Sequence, residues 1–140
     1  MNFSELKLRD APAWTIFIFG VLAVALGAVG LVRPEITLTL LGFEVLAREA
    51  RAAGDFTVMF LTASSMASFN MGIYYVLAAL TDTRRFFVWT VPFRVLTFII
   101  FSLAVLSGTA PAGFFGVAAW ELTGAIATGL ALYFDGWKKG

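Results

Sequence analysis

Arg94 and Glu121 are the residues whose chemistry demands a partner. Arg94 stands within WTVPFRVLTFIIF (residues 89–101), where only Thr90, Arg94 and Thr97 are not apolar. Glu121 stands in a second apolar run, at residues 114–134. An arginine at mid-bilayer costs at least about 2.5–3.5 kcal/mol on insertion scales, so it is expected to face inward and to be matched. Glu121 is the one acidic residue well inside such a run and is the natural counter-ion. An ion pair of this kind either fixes helix packing or floors a polar pocket.

Composition says what surrounds the pair. Of 140 residues, 60% are hydrophobic and 14% charged, against about 25% charged in a soluble domain. The departure is that of a membrane protein. A net charge of +1 gives no electrostatic case for nucleic acid as a partner. Cysteine and histidine are absent, which removes disulfides, thiol redox chemistry, histidine-held haem and the usual zinc ligands. No cofactor and no metal are expected, and proton work falls to Asp, Glu, Lys, Arg or Tyr.

A span needs about 20 mostly apolar residues. Four stretches qualify, at 14–32, 56–80, 86–107 and 114–134. The first has Lys7 and Arg9 before it and a cleavage-like Ala23-Val24-Ala25, but its apolar run continues to Val32, which fits a retained span better than a signal peptide. The joints at 81–85 and 108–113 are short, and short joints favour antiparallel neighbours. The expected fold is all-α, an antiparallel bundle of four transmembrane helices forming a single domain over residues 1–140.

Between spans one and two, Phe43, Leu46, Ala47 and Ala50 share a helical face opposite Glu44, Arg48 and Arg51. That pattern fits a short helix lying at the membrane surface, or an extension of span two. ITLTLLG (36–42) is compatible with an extended or re-entrant segment. Six Lys and Arg (Lys7, Arg9, Arg84, Arg85, Lys138, Lys139) oppose three (Arg33, Arg48, Arg51), which puts both termini in the cytoplasm of a cell whose inner, or plasma, membrane holds the chain. Trp14, Tyr74, Tyr75, Phe86, Phe87, Trp89, Tyr133 and Trp137 cluster toward that side as an aromatic belt.

At about 1.5 Å per residue, Arg94 lies roughly 12 Å and Asn70 roughly 9 Å from the cytoplasmic boundary, and Glu121 roughly 10 Å below the outer one. The remaining axial gap between Arg94 and Glu121 is about 7–8 Å, largely within an extended arginine's reach. Thr90 and Thr97 share the face of Arg94. Gly124 and Thr128 share that of Glu121, and Asn70 and Tyr74 share one on span two. These residues (Arg94, Glu121, Asn70, Tyr74, Thr90, Thr97, Thr128) form the expected intramembrane polar cluster. Ser65, Ser68 and Gly72 make a second small or polar stripe on span two. Gly20, Ala23, Gly27 and Gly30 give span one a face that another helix can approach closely, within the chain or in a homodimer. Pro92 frees the carbonyl of Val88. Asp55 reads as a helix-start acid.

Several short motifs resemble the small bacterial four-span membrane proteins of the DoxX-like and BphX-like group. They are Arg33-Pro34, Leu41-Gly42, Glu49-Ala50-Arg51-Ala52 ahead of Gly54, and Gly72-Ile73-Tyr74-Tyr75. The resemblance implies a four-helix integral membrane fold and transfers no catalytic residue.

Three activities remain open on these residues. One is a non-catalytic module that binds a lipid, quinone-like or other hydrophobic small molecule, or serves as an accessory subunit for a membrane protein partner. Another is an isomerase or cyclase of a lipophilic substrate with Glu121 as acid or base. The third is a small proton-coupled transporter with Glu121 as carrier. There is no Walker loop, dinucleotide fingerprint or nucleophile elbow to decide for an enzyme.

Overall fold

The structure, a computed structural model, describes residues 7–139, apart from the side chains of Arg48 and of residues 136–139. Five α-helices follow one another: α1 (Ala11–Val32), α2 (Pro34–Leu40), α3 (Thr57–Leu80), α4 (Arg84–Leu106) and α5 (Phe115–Lys139). Single 3-10 turns precede α3 (Arg48–Ala50) and α5 (Ala112–Phe114). Among the described residues there is no strand.

Local chemistry sets the boundaries. The Asp10 carboxylate accepts from the Ala13 amide at 3.1 Å and starts α1, with Pro12 in the first turn, where its missing N–H costs nothing. Pro34 pushes Arg33 out of the helical region, so α1 stops there and α2 begins on the proline itself. Gly42, at φ +78°, ends the segment in the left-handed region that favours glycine. At the start of α3, the Asp55 carboxylate accepts from the Thr57 amide at 2.9 Å and from the Thr57 hydroxyl. The hydroxyl bond, then the amide bond, hold the Asp55 carboxyl below its usual range.

The joint between α1 and α3 differs from expectation. Its helix is α2, built from ITLTL, while residues 43–47 are not helical and one 3-10 turn stands where a surface helix was expected. The amphipathic stretch is too short to nucleate a helix without packing. Arg51 instead donates through Nε and Nη2 to the Leu46 carbonyl, each at 3.2 Å, and ties the loop back on itself.

Three segments are long and apolar enough to cross a membrane: Ala11–Val32, Arg84–Leu106 and Ala112–Asp135. α3 has the length and carries no charge, but Ser64, Ser65, Ser68 and Asn70 dilute its apolar character. Large apolar side chains lie on the outside, among them Phe60 at the start of α3 and Phe93, Leu96, Ile100 and Leu103 along α4. The inside, apart from Ile16, Leu38, Tyr75, Phe87 and Arg94, holds small or hydroxyl residues, among them Ala13, Ala79, Ala118, Ala125, Ser65, Thr90 and Thr128. A water-soluble protein does the reverse, and this distribution is that of a multi-pass membrane protein.

α1 packs most closely on α3, α5 on α4, and α1 also on α5. Small residues permit the first contact. A Cβ on Gly27 would stand 2.6 Å from the Phe69 amide nitrogen, and one on Gly72 would stand 2.6 Å from that of Val24. The Ser68 hydroxyl donates to the Ala23 carbonyl at 3.2 Å across the same seam. The small face of α1 therefore serves contact within the chain. Two residues of the expected aromatic belt belong to the core instead: Tyr75 is 6% exposed and Phe87 0%. They pack with Ala13, Ile16, Ala78 and Ala79 under Phe19 and Phe86. Trp14, Tyr74, Trp89 and Tyr133 do face outward. The Trp137 side chain lies outside the described residues, as do those of Lys138 and Lys139.

One end of the molecule gathers four helix termini around Arg84. It pairs with Asp10 before α1, with Asp82 in the α3–α4 joint (2.8 Å) and with Asp135 near the end of α5 (3.3 Å). Arg9 adds a longer contact to Asp82, at 3.9 Å. Asp82 takes a positive φ of 52° to make this turn. The cluster ties the joint to both terminal helices, and reading each residue in its own joint gave no sign of it.

Candidate functional site

α3 and α4 are joined by three residues, Thr81 to Thr83, yet touch sparingly. Near the joint, Tyr75 packs edge-on against Phe86 with ring centroids 4.9 Å apart, and its hydroxyl bonds that of Thr90. Farther along they diverge, and an open cavity of about 430 Å³ lies between them. α3 contributes Ser64, Ser68, Met71 and Tyr75, and α4 contributes Phe93, Arg94 and Thr97. Phe19, Ala23 and Leu26 of α1 and Val117, Trp120 and Glu121 of α5 complete the wall.

Arg94 is held from several sides. Its side chain is 3% exposed, and its Nε donates to Glu121 Oε2 at 3.2 Å, with Glu121 18% exposed. Its guanidinium carbon lies 3.4 Å from the Phe19 ring centroid, a cation–π contact. Phe19 in turn stacks with Trp120 at 5.1 Å. Gly124 faces the guanidinium so closely that any Cβ there would overlap it. A glycine one helical turn after Glu121 is thus what lets the arginine lie flat against α5.

The pairing is incomplete. Nη1 and Nη2 of Arg94 are both buried and have no hydrogen-bond partner among the described residues. A guanidinium has five N–H donors, and one serves Glu121. The hydroxyls of Ser68 and Thr97 donate to the Ala23 and Phe93 carbonyls, and neither accepts from Arg94. The guanidinium therefore keeps unmatched hydrogen-bond donors in an apolar setting, where they are costly.

Of the residues expected to cluster, the structure brings Arg94, Glu121 and Thr97 to one cavity. Thr90 is buried beside it, bonded to Tyr75. Thr128 is fully buried and shares a 3.1 Å hydrogen bond with Thr15 between α1 and α5. Asn70 is half-buried and Tyr74 is 56% exposed, and neither lines the cavity. Tyr75, Phe19 and Trp120 were missed as site residues. Helical spacing from Gly72, which faces α1, could have placed Tyr75 inward, because it lies one turn away on the same face. A second, almost wholly apolar groove of about 210 Å³ runs between α1 and α5, with Phe19 and Trp120 common to both.

No family model, curated protein or solved structure matches this chain. Its task is therefore read from the cavity and the ion pair alone.

The pair makes an asymmetric prediction. Glu121→Leu leaves a buried, uncompensated arginine and should cost about 3–5 kcal/mol. Arg94→Met combined with Glu121→Leu should recover most of that loss, because an apolar pair needs no counter-charge. Unfolding in detergent, followed by tryptophan fluorescence, measures the difference. A double variant as unstable as Glu121→Leu alone would contradict it.

Proposed function

We propose that the chain is a four-span protein of the plasma membrane that binds a hydrophobic small molecule in the α3–α4 cavity. The observation that carries this reading is the buried arginine in the wall of an open cavity, with two of its three nitrogens unmatched. A cavity of about 300–1,000 Å³ with few polar groups is what small-molecule sites usually have. Its mouth between two sparsely packed helices gives a lipophilic guest a route from the bilayer. The same opening, flanked by exposed Phe93 and Met71, would also suit an accessory subunit that lends its site to a larger assembly.

α3 is the fourth span in this reading. It has no charge over 24 residues, and two of its hydroxyls are satisfied without water, Thr62 by the Val58 carbonyl of its own helix and Ser68 by the Ala23 carbonyl of α1. The side that holds Lys7, Arg9, Arg84, Arg85, Lys138 and Lys139 outnumbers the side that holds Arg33, Arg48 and Arg51, which favours cytoplasmic termini. The short motifs Arg33-Pro34, Leu41-Gly42 and Gly72-Ile73-Tyr74-Tyr75 support a kinship with the DoxX-like and BphX-like group within this proposal.

Two experiments test this. The chain lacks cysteine, so single cysteines can be labelled cleanly from either side of sealed vesicles. Lys7→Cys and Arg85→Cys should react only from the cytoplasmic side, and Ala53→Cys and Thr109→Cys only from the other. Ala53→Cys and Arg85→Cys reacting from the same side would remove α3 as a span. For the ligand, protein extracted in mild detergent should retain a small molecule in native mass spectrometry. The doubly apolar Arg94→Met, Glu121→Leu variant should lose it. Wild-type protein that never carries one, across several detergents, would contradict the binding reading.

A further inference from the structure

We infer that the ligand of this cavity is an uncharged lipophile that donates a hydroxyl hydrogen bond to Glu121 Oε1. This rests on the ligand-binding reading above and names the chemical class the site selects. Access decides first. The outer edge of Arg94 is closed. Phe19 of α1 covers the guanidinium face at 3.4 Å, Nη2 fills the space that a side chain at Gly124 of α5 would need, and both Nη atoms are shut away from the surface. Glu121 is the open half of the pair. Its side chain is 18% exposed, and the residue lines the cavity. Oε2 takes the Arg94 Nε–H at 3.2 Å, while Oε1 accepts from no described residue and is not shut away as the Nη atoms are. The pair therefore turns an acceptor to the cavity and keeps its remaining donors behind.

Hydrogen bonding and charge then fix the guest. Four hydroxyl-bearing residues line the cavity, Ser64, Ser68, Tyr75 and Thr97. Ser68 and Thr97 give their protons to the Ala23 and Phe93 carbonyls, and the Tyr75 hydroxyl is bonded to that of Thr90. None of these three serves Glu121, so a donor to Oε1 has to come with the guest. A bond to an ionised oxygen is stronger than one between neutral groups. The guest itself is uncharged, because the pair is neutral as a unit. An anion would meet the open carboxylate oxygen in a setting of low dielectric, where repulsion is strong. An ammonium would leave water for a cavity with no second carboxylate among its lining residues. Phe19, Leu26, Met71, Phe93 and Trp120 take an apolar body. At about 430 Å³ the cavity holds the hydroxyl end and the first part of a chain, whose remainder leaves between α3 and α4 toward lipid.

The test compares three probes that share one oleyl chain, on the purified full chain in maltoside micelles. They are oleyl alcohol, a donor; oleyl methyl ether, which keeps the oxygen and loses the donor; and oleylamine, an ammonium at neutral pH. Equilibrium binding of each radiolabelled probe is corrected for its partition into empty micelles. The alcohol should bind at least about tenfold more tightly than either other probe, since a hydrogen bond to a charged group is worth about that factor. In the doubly apolar Arg94→Met, Glu121→Leu variant the alcohol and the ether should bind alike. The comparison in wild-type protein stands whether or not that variant folds. Equal binding of alcohol and ether by wild-type protein would overturn the inference while leaving the cavity a hydrophobic-ligand site. Tightest binding of oleylamine would overturn it in favour of a cation site. A preference for the alcohol that survives in the folded double variant would place the acceptor elsewhere and overturn it as well. Binding of none of the three would overturn both this inference and the ligand-binding reading.

Discussion

The structure depends on the cost of holding a guanidinium where there is little water. Removing a cation from water is repaid only by a close counter-charge and by matched hydrogen bonds. Glu121 supplies the charge, Phe19 a polarisable face, and Gly124 the space. Each comes from a helix other than α4, so the arginine fixes how α1 and α5 sit against it. Because the cost falls on any arrangement that leaves the cation unmatched, the pair also excludes alternative packings of the same helices.

The rest of the fold brings those helices together by a different device. Between α1 and α3 the contact is close because glycine and serine leave room for backbone to approach backbone. α4 meets α5 and the 3-10 turn before it through aromatic pairs, Phe98 on Phe115 and Phe101 on Phe114, besides the ion pair. α3 and α4 have neither device over most of their length. The cavity is the consequence: two tightly made seams and one loose one, with Arg94 in the wall of the loose one. The Arg84 cluster keeps the α3–α4 joint tied to α1 and α5 while the helices diverge beyond it.

The sequence was most legible where a residue was most expensive. An arginine and a glutamate in apolar runs must be paired, and helical rise alone brought them to within a side chain's reach. The four long helices were legible from the length of their apolar runs. Which face a residue takes was less legible. Tyr75 and Phe87 lie near helix ends, where belt and core aromatics have the same spacing, and only the packing partner distinguishes them. The α1–α3 joint was misread because an amphipathic pattern over nine residues does not secure a helix, while Pro34 supplied a start that the Thr-rich alternation obscured. The Arg84 cluster was hidden for a different reason. Its members lie in three separate parts of the chain and are ordinary at each.

Solid-state NMR dephasing between ¹⁵N-labelled arginine Nε and ¹³C-labelled glutamate Cδ, in protein reconstituted into lipid, tests the central contact most directly. The other ion-paired arginines among the described residues, Arg9 and Arg84, meet aspartates, so an arginine–glutamate signal reports chiefly on Arg94 and Glu121. Strong dephasing that disappears in Arg94→Lys is the predicted result. Wild-type protein with no more dephasing than that variant would show that the two side chains do not meet, and the cavity as described would not exist.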